Sequence, residues 1–180
     1  MTIRAFEGKN PRIDSTAYVD DSAVITGDVV IAEDVSIWPC SVVRGDVNYI
    51  RIGARTNIQD GSVLHVTHAS SEYTSSTGSP LIIGDDVTVG HKALLHACTI
   101  GNRCLVGMGA IVMDNTVVED EVMIAAGSVV PPGKVLESGY LYVGNPAKQK
   151  RPLTDKERSF LGYSAKNYVK LAQRTKAQAI

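Results

Sequence analysis

The sequence predicts an all-β fold: a parallel β-helix of six-residue repeats wound as a triangular prism, closed by a C-terminal α-helix. Two observations predict the prism. Stepping by six gives Ile13, Val19, Ile25, Ile31, Ile37 and Val43, then Ile52, Ile58 and Leu64, then Ile83, Val89 and Leu95, then Ile100, Val106, Val112, Val118, Ile124 and Val130. All 18 positions are Ile, Val or Leu, although those types fill only 46 of 180 residues. Four residues after 15 of these 18 aliphatics comes a small or β-branched residue: Ala17, Ala23, Val29, Val35, Ser41, Val47, Thr56, Ser62, Val87, Ala93, Cys104, Ala110, Thr116, Val122 and Ser128. A third observation predicts the helix, a capping-box pattern from Thr154 to Glu157 ahead of apolar residues at helical spacing.

The elements follow in chain order. Residues 1–12 are a lead-in. Residues 13–143 form the prism, because one large and one small inward residue per six, with a corner between, describes one side of a triangle. Three sides make an 18-residue coil, and coils stack as parallel strands ~4.8 Å apart. A strict period of six does not fit the 3.6 residues per turn of a helix. Glycine often directly follows the aliphatic (Gly53, Gly84, Gly90, Gly101, Gly107), where a corner is expected to need positive φ. Residues 66–82 complete one side and add a protruding loop. Residues 144–180 hold a turn, Gly144-Asn145-Pro146-Ala147, and the helix, with Phe160, Leu161, Tyr168, Leu171 and Ala172 on its apolar side and Gly162 expected to split it in two.

Composition narrows the function. Net charge is -1, from 18 basic and 19 acidic residues, which gives no overall attraction to nucleic acid or an acidic membrane. Trp38 and the tyrosines show no base-stacking pattern among basic residues, so no nucleic-acid partner is expected. No apolar run reaches the ~18 residues of a membrane span. The first residues, MTIRAFEGKNPRIDS, lack a signal-peptide core. Three cysteines, Cys40, Cys98 and Cys104, are an odd number without a CxxC, which suits a reducing, cytoplasmic setting. Cys98 and Cys104 fall in inward slots and are expected in the core.

The repeat slips between Val43 and Ile52, between Leu64 and Ile83, and by one residue between Leu95 and Ile100. All four histidines, His65, His68, His91 and His96, lie close to the last two slips. His65 directly follows Leu64 and His96 directly follows Leu95, so the two are expected in one corner slot on adjacent coils, about one strand spacing apart. That suits two ligands of one metal. His91 sits on the preceding side, on the order of 15 Å away along the chain, so a neighbouring subunit would have to supply it. The arithmetic points to a cyclic trimer with three shared sites, each with three imidazoles and an open fourth position, the arrangement of catalytic zinc. The other reading makes them corner histidines that hydrogen-bond the turns.

Arg44-Gly45-Asp46, Asn57-Ile58-Gln59-Asp60 leading to His65, and Val89-Gly90-His91 leading to Leu95-His96 resemble the gamma-class carbonic anhydrases, in particular their YrdA/PaaY-type bacterial branch. The resemblance runs from about Ile13 to the terminal helix. It implies a left-handed β-helix, a homotrimer, and an interface metal, Zn2+ or else Fe2+ or Co2+, held by His65, His91 and His96. It implies that Gln59, with Asn57 beside it, orients CO2 or hydroxide, that Arg44 and Asp46 form an ion pair near the site, and that Tyr168, with Tyr163 as a competing match, approaches the metal. The implied reaction is hydration of CO2 to bicarbonate by metal-bound hydroxide. Two positions depart from the pattern. Val47 and His68 stand where characterised members carry glutamates, the second a proton shuttle. Histidine can carry protons at neutral pH, but the implied activity is weak or conditional. Alternatives are a hexapeptide-repeat acyltransferase, whose post-helix turn Gly144-Asn145-Pro146-Ala147-Lys148 resembles, a CoA-thioester hydrolase, or a non-catalytic metal-binding protein of the ferripyochelin-binding type.

Overall fold

A computed structural model of the chain describes residues 2–178; residue 1 and residues 179–180, the tips of the lead-in and tail, lie outside the described residues. The aliphatic slots pack on one another inside the prism. From Ile25 to Val130 they are at most 2% exposed, whereas Ile13 and Val19, in the first coil, are only half-buried. Each regular coil contributes three short strands, such as Thr99–Ile100, Leu105–Val106 and Ile111–Val112. Their residues pair in parallel with those 18 positions on, Ile100 with Val118, Val106 with Ile124 and Val112 with Val130. The predicted left-handed parallel β-helix with a single C-terminal helix is the fold observed.

The small inward slots are buried along the prism, and their hydroxyls tie one coil to the next. Ser41 donates to the Gln59 carbonyl at 3.0 Å, Thr56 to Gly84 at 2.8 Å and Ser62 to Gly90 at 3.1 Å. Cys98 and Cys104 are buried among them. Val47 is not an inward residue. It is 45% exposed, because it lies within a bulge of the strand Val42–Ile52, where pairing jumps from Gly27–Gly45 to Val29–Ile50.

That bulge is the first slip of the repeat. It lengthens the coil from the regular 18 residues between Tyr18 and Ser36 to 21 between Ser36 and Asn57. The loop within 66–82 lengthens the next coil to 31, from Asn57 to Thr88, and the third slip shortens the following one to 17, from Thr88 to Leu105. The two insertions are tied together. Asn48 Nδ2 donates to the carbonyls of Thr67 at 3.2 Å and Thr77 at 3.0 Å.

Positive φ does occur at the corners, but not at the glycines that follow the aliphatics. It falls two residues later, at Arg55, Asp86, Lys92, Arg103 and Gly109. The earlier glycines answer to stacking instead. A Cβ on Gly107 would lie 2.4 Å from the backbone nitrogen of Ala126 on the next coil.

The tail differs from expectation in two ways. After Gly144-Asn145-Pro146-Ala147 the chain forms a strand, Ala147–Pro152, antiparallel to Tyr140–Gly144. The helix, Asp155–Lys176, then runs unbroken through Gly162. Leu161, Ser164, Ala165 and Ala172 are buried on the prism, and this packing outweighs the ~1 kcal/mol that a glycine costs inside a helix. The N-cap is as the sequence indicated. Thr154 Oγ1 accepts from the Glu157 N–H at 3.3 Å, and Glu157 Oε2 accepts from the Thr154 N–H at 2.9 Å. The helix lies over the face built from Tyr18–Val19, Ser36–Ile37, Asn57–Ile58 and Thr88–Val89.

Candidate functional site

Parallel pairing sets His65 opposite His96, at the ends of strands Val63–His65 and Leu94–His96. Their rings are tilted 56° to one another, with His65 Nδ1 and His96 Nε2 3.1 Å apart. Each outer nitrogen meets an aspartate. His65 Nε2 lies 3.1 Å from Asp46 Oδ1, and His96 Nδ1 lies 2.9 Å from Asp114 Oδ2. The other oxygen of Asp46 takes the Arg44 guanidinium, and that of Asp114 takes the Thr67 hydroxyl. Burial tends to raise both carboxyls, but these hydrogen bonds outweigh it and hold Asp46 and Asp114 below the usual carboxylate value. Burial also holds the His65 imidazole below its ordinary value, against the pull of Asp46.

The charge state of the aspartates decides where the ring protons sit. An ionised carboxylate only accepts, so it calls for N–H at His65 Nε2 and at His96 Nδ1. With both rings neutral, the two facing nitrogens then turn lone pairs toward each other. Such an arrangement is repulsive unless a proton or a cation lies between them. Two nitrogens ~2.0–2.1 Å from a tetrahedral zinc stand ~3.3 Å apart, close to the 3.1 Å here. The pair therefore fits two ligands of one small divalent cation.

His91 stands at a different corner, after strand Thr88–Val89, with Nδ1 2.8 Å from Asp60 Oδ2. Among the described residues no group of three His, Cys, Asp or Glu side chains in one chain is set to hold a metal. His91 lines a cleft of about 550 Å³ together with Gln59, Thr88, Met108, Ser164 and Tyr168. Gln59 is 5% exposed, and its Nε2 donates to Asn57 Oδ1 at 3.0 Å. Asn57 in turn donates to Thr88 Oγ1 at 3.1 Å, and the Thr88 and Ser164 hydroxyls meet at 2.8 Å. Tyr168 borders the same cleft, packs edge-on against Trp38, and has its phenol pKa raised by burial and by Asp60. Tyr163 does not line the cleft and is 62% exposed. His68 is exposed in the loop.

The structure thus gathers most of the predicted residues into two groups on two edges of the prism. His65, His96, Arg44 and Asp46 form one; His91, Gln59, Asn57 and Tyr168 form the other. Between them, the face that carries Val42, Val63, Leu94, Ile111 and Val129 points an aliphatic row outward. Sequence reasoning did not assign Asp114 and Thr67, or the partner roles of Asp60 and Thr88. The coil here is 17 residues, with Leu95 paired to Val112, so Asp114, 18 residues after His96, lies one position beyond the coil step.

Comparison with known proteins shows the family. The family described as bacterial transferase hexapeptide (six repeats) matches residues 97–132. Protein YrdA of Escherichia coli strain K12 is 61% identical over 93% of this chain and 90% of its own length. Gamma carbonic anhydrase 2, mitochondrial, of Arabidopsis thaliana is 47% identical over 92% of this chain and 58% of its own. The chain belongs to the gamma-carbonic-anhydrase-like family of hexapeptide-repeat proteins. A solved member of this wider fold, a hexapeptide transferase family protein from Anaplasma phagocytophilum, superposes with a TM-score of 0.88 at 44% identity, covering 96% of each chain. Relatives of this gamma-carbonic-anhydrase-like chain therefore carry both hydratase and transferase names. Among the described residues no helix is long and apolar enough to cross a membrane.

Proposed function

We propose that this chain is a gamma-carbonic-anhydrase-like metalloprotein that hydrates CO2 to bicarbonate at sites shared between the subunits of a homotrimer, in the cytoplasm. The observation that carries the reading is the pair of lone pairs at His65 Nδ1 and His96 Nε2, each fixed by an aspartate behind its ring. His65 and His96 of one chain and His91 of the next would hold the cation. Zn2+ suits three neutral imidazoles, and Fe2+ or Co2+ can take the same ligands. The outward aliphatic row between the two half-sites supports face-to-face closure of three prisms. Residues 1–12, 13–143 and 144–180 serve as lead-in, site-bearing prism, and turn with covering helix.

When bound, the cation supplies an electrophile that makes water nucleophilic near neutral pH. The chain's own residues do the rest. Gln59, held by Asn57, presents an amide to the substrate beside His91. Arg44 neutralises Asp46, which keeps His65 in one tautomer. Tyr168 closes the cleft on the helix side. Val47 offers no proton acceptor beside Asp46, and His68 would have to carry protons from the exposed loop. Activity is therefore expected to be weak or conditional.

A second reading draws on the cleft. About 550 Å³ beside His91 is far more than CO2 occupies and is within the range of organic ligands. Acyl transfer from CoA, or hydrolysis of a CoA thioester, would use that space, and a non-catalytic metal-binding role would use neither. Metal analysis, CO2 hydration and acetyl-CoA turnover, measured on anaerobically and aerobically purified protein, separate these. Stoichiometric metal with CO2 hydration, both lost in His91→Ala, supports the hydratase; metal-free acetyl-CoA turnover overturns it. Bound metal without either activity leaves the non-catalytic role.

A further inference from the structure

We infer that Asp114 is a positioning residue that joins the 66–82 loop to the imidazole pair, fixing His96 through one carboxylate oxygen and Thr67 through the other. The inference rests on the metal-binding reading of the pair. Asp114 Oδ2 lies 2.9 Å from His96 Nδ1, and Asp114 Oδ1 accepts from the Thr67 hydroxyl. Thr67 stands at the base of the loop. Its N–H and carbonyl pair with Ser79 at 2.9 and 3.0 Å, closing the loop's base. Its carbonyl also accepts from Asn48, and Ser79 Oγ donates to Asn115 Oδ1 at 2.7 Å, beside Asp114. Both legs of the loop therefore stand on Asp114 and Asn115.

The chemistry follows from the acceptor-only carboxylate. While Asp114 holds Nδ1–H, the His96 ring cannot flip or change tautomer, and its Nε2 stays turned to His65. Carboxylates behind ligating histidines act in this way, and their loss typically weakens metal affinity about 10–100-fold. The second oxygen adds a linkage. If cation binding holds His96 and Asp114 in place, it also holds Thr67, and closure of the loop favours cation binding in return.

The test uses the full-length chain and Co2+ alone, followed by visible absorption, with chymotrypsin as a probe of Tyr73, which is 78% exposed in the loop. In the native protein, Co2+ should bind and slow cleavage at Tyr73. Asp114→Ala should weaken Co2+ binding about 10–100-fold, alter the absorption band and remove the protection. Asp114→Asn keeps an acceptor oxygen and should restore part of the affinity; it also serves if the alanine variant does not fold. Thr67→Val should lose the protection and weaken Co2+ binding only by the factor by which Co2+ slows cleavage of the native chain, less than Asp114→Ala does. Native affinity and spectrum in both Asp114 variants overturn the inference alone, while a native chain that takes up no Co2+ overturns it together with the metal reading.

Discussion

His65 and His96 share a register position on neighbouring parallel strands, and each ring is braced from behind by its own aspartate. A pair built this way cannot complete a three-histidine site with His91 of the same chain, which stands at another corner. Each single variant, His65→Ala, His96→Ala or His91→Ala, is expected to lose bound divalent metal by elemental analysis. Mixing is the sharper test. Co-refolding equal amounts of His65→Ala and His91→Ala chains should restore about a quarter of native metal content, because a random closed ring juxtaposes one intact half of each kind at that frequency. No recovery would mean that the half-sites do not meet across subunits.

Stacking rather than backbone freedom explains the glycines after the aliphatic slots, and two alanine substitutions should therefore act in opposite directions. Gly107→Ala drives a Cβ to 2.4 Å from the next coil's backbone and should destabilise the fold by about 1–3 kcal/mol or more. Gly162→Ala meets nothing within 4 Å and should stabilise by about 0.5–1 kcal/mol through helix propensity. Denaturant titration of the two variants beside the parent measures both.

Cys40 is exposed, whereas Cys98 and Cys104 are sealed in the core. Burial pushes both buried thiols up, Cys104 to about 12. A thiol reagent at mildly alkaline pH should therefore modify Cys40 alone in the native chain and all three cysteines in denaturant. Rapid reaction of a second thiol without unfolding would contradict the sealed core.

The helix cap carries a pH dependence of known sign. The Arg151 guanidinium, with the Thr154 N–H and hydroxyl, lowers the Glu157 carboxyl from 4.5 to about 2. A depressed carboxyl contributes stability that is present above its unfolded value and is lost as pH falls through its folded one. Amide protection in the first helical turn, measured against the intrinsic exchange rate at each pH, should fall between about pH 4.5 and pH 2, and Arg151→Ala should move that change toward the upper limit. A flat profile in the native chain would rule out the ion pair as its source.

Most of the prism was legible because each inward slot accepts few residue types, so a period of six survives on the page. The slips were legible for the same reason, and they fixed the alignment of His65 with His96. Asp114 was hidden for a different reason. An aspartate near a corner reads as a turn former, and the 17-residue coil puts Asp114 one position past the register of His96. Ala147–Pro152 was missed because AKQKRP has no alternation of apolar and polar residues. Gly162 misled because its helix is stabilised by the face it buries rather than by its own propensities.

The buried hydroxyls of Ser41, Thr56 and Ser62 have one further consequence. Their hydroxyls are already matched to carbonyls, aliphatic side chains fill the rest of the axis, and among the described residues no buried side-chain nitrogen or oxygen lacks a partner. The long axis is thus a dry, plugged shaft with no thirst for solvent. On the proposed hydratase reading, gas, bicarbonate and protons would enter and leave sideways, through a seam between two prisms.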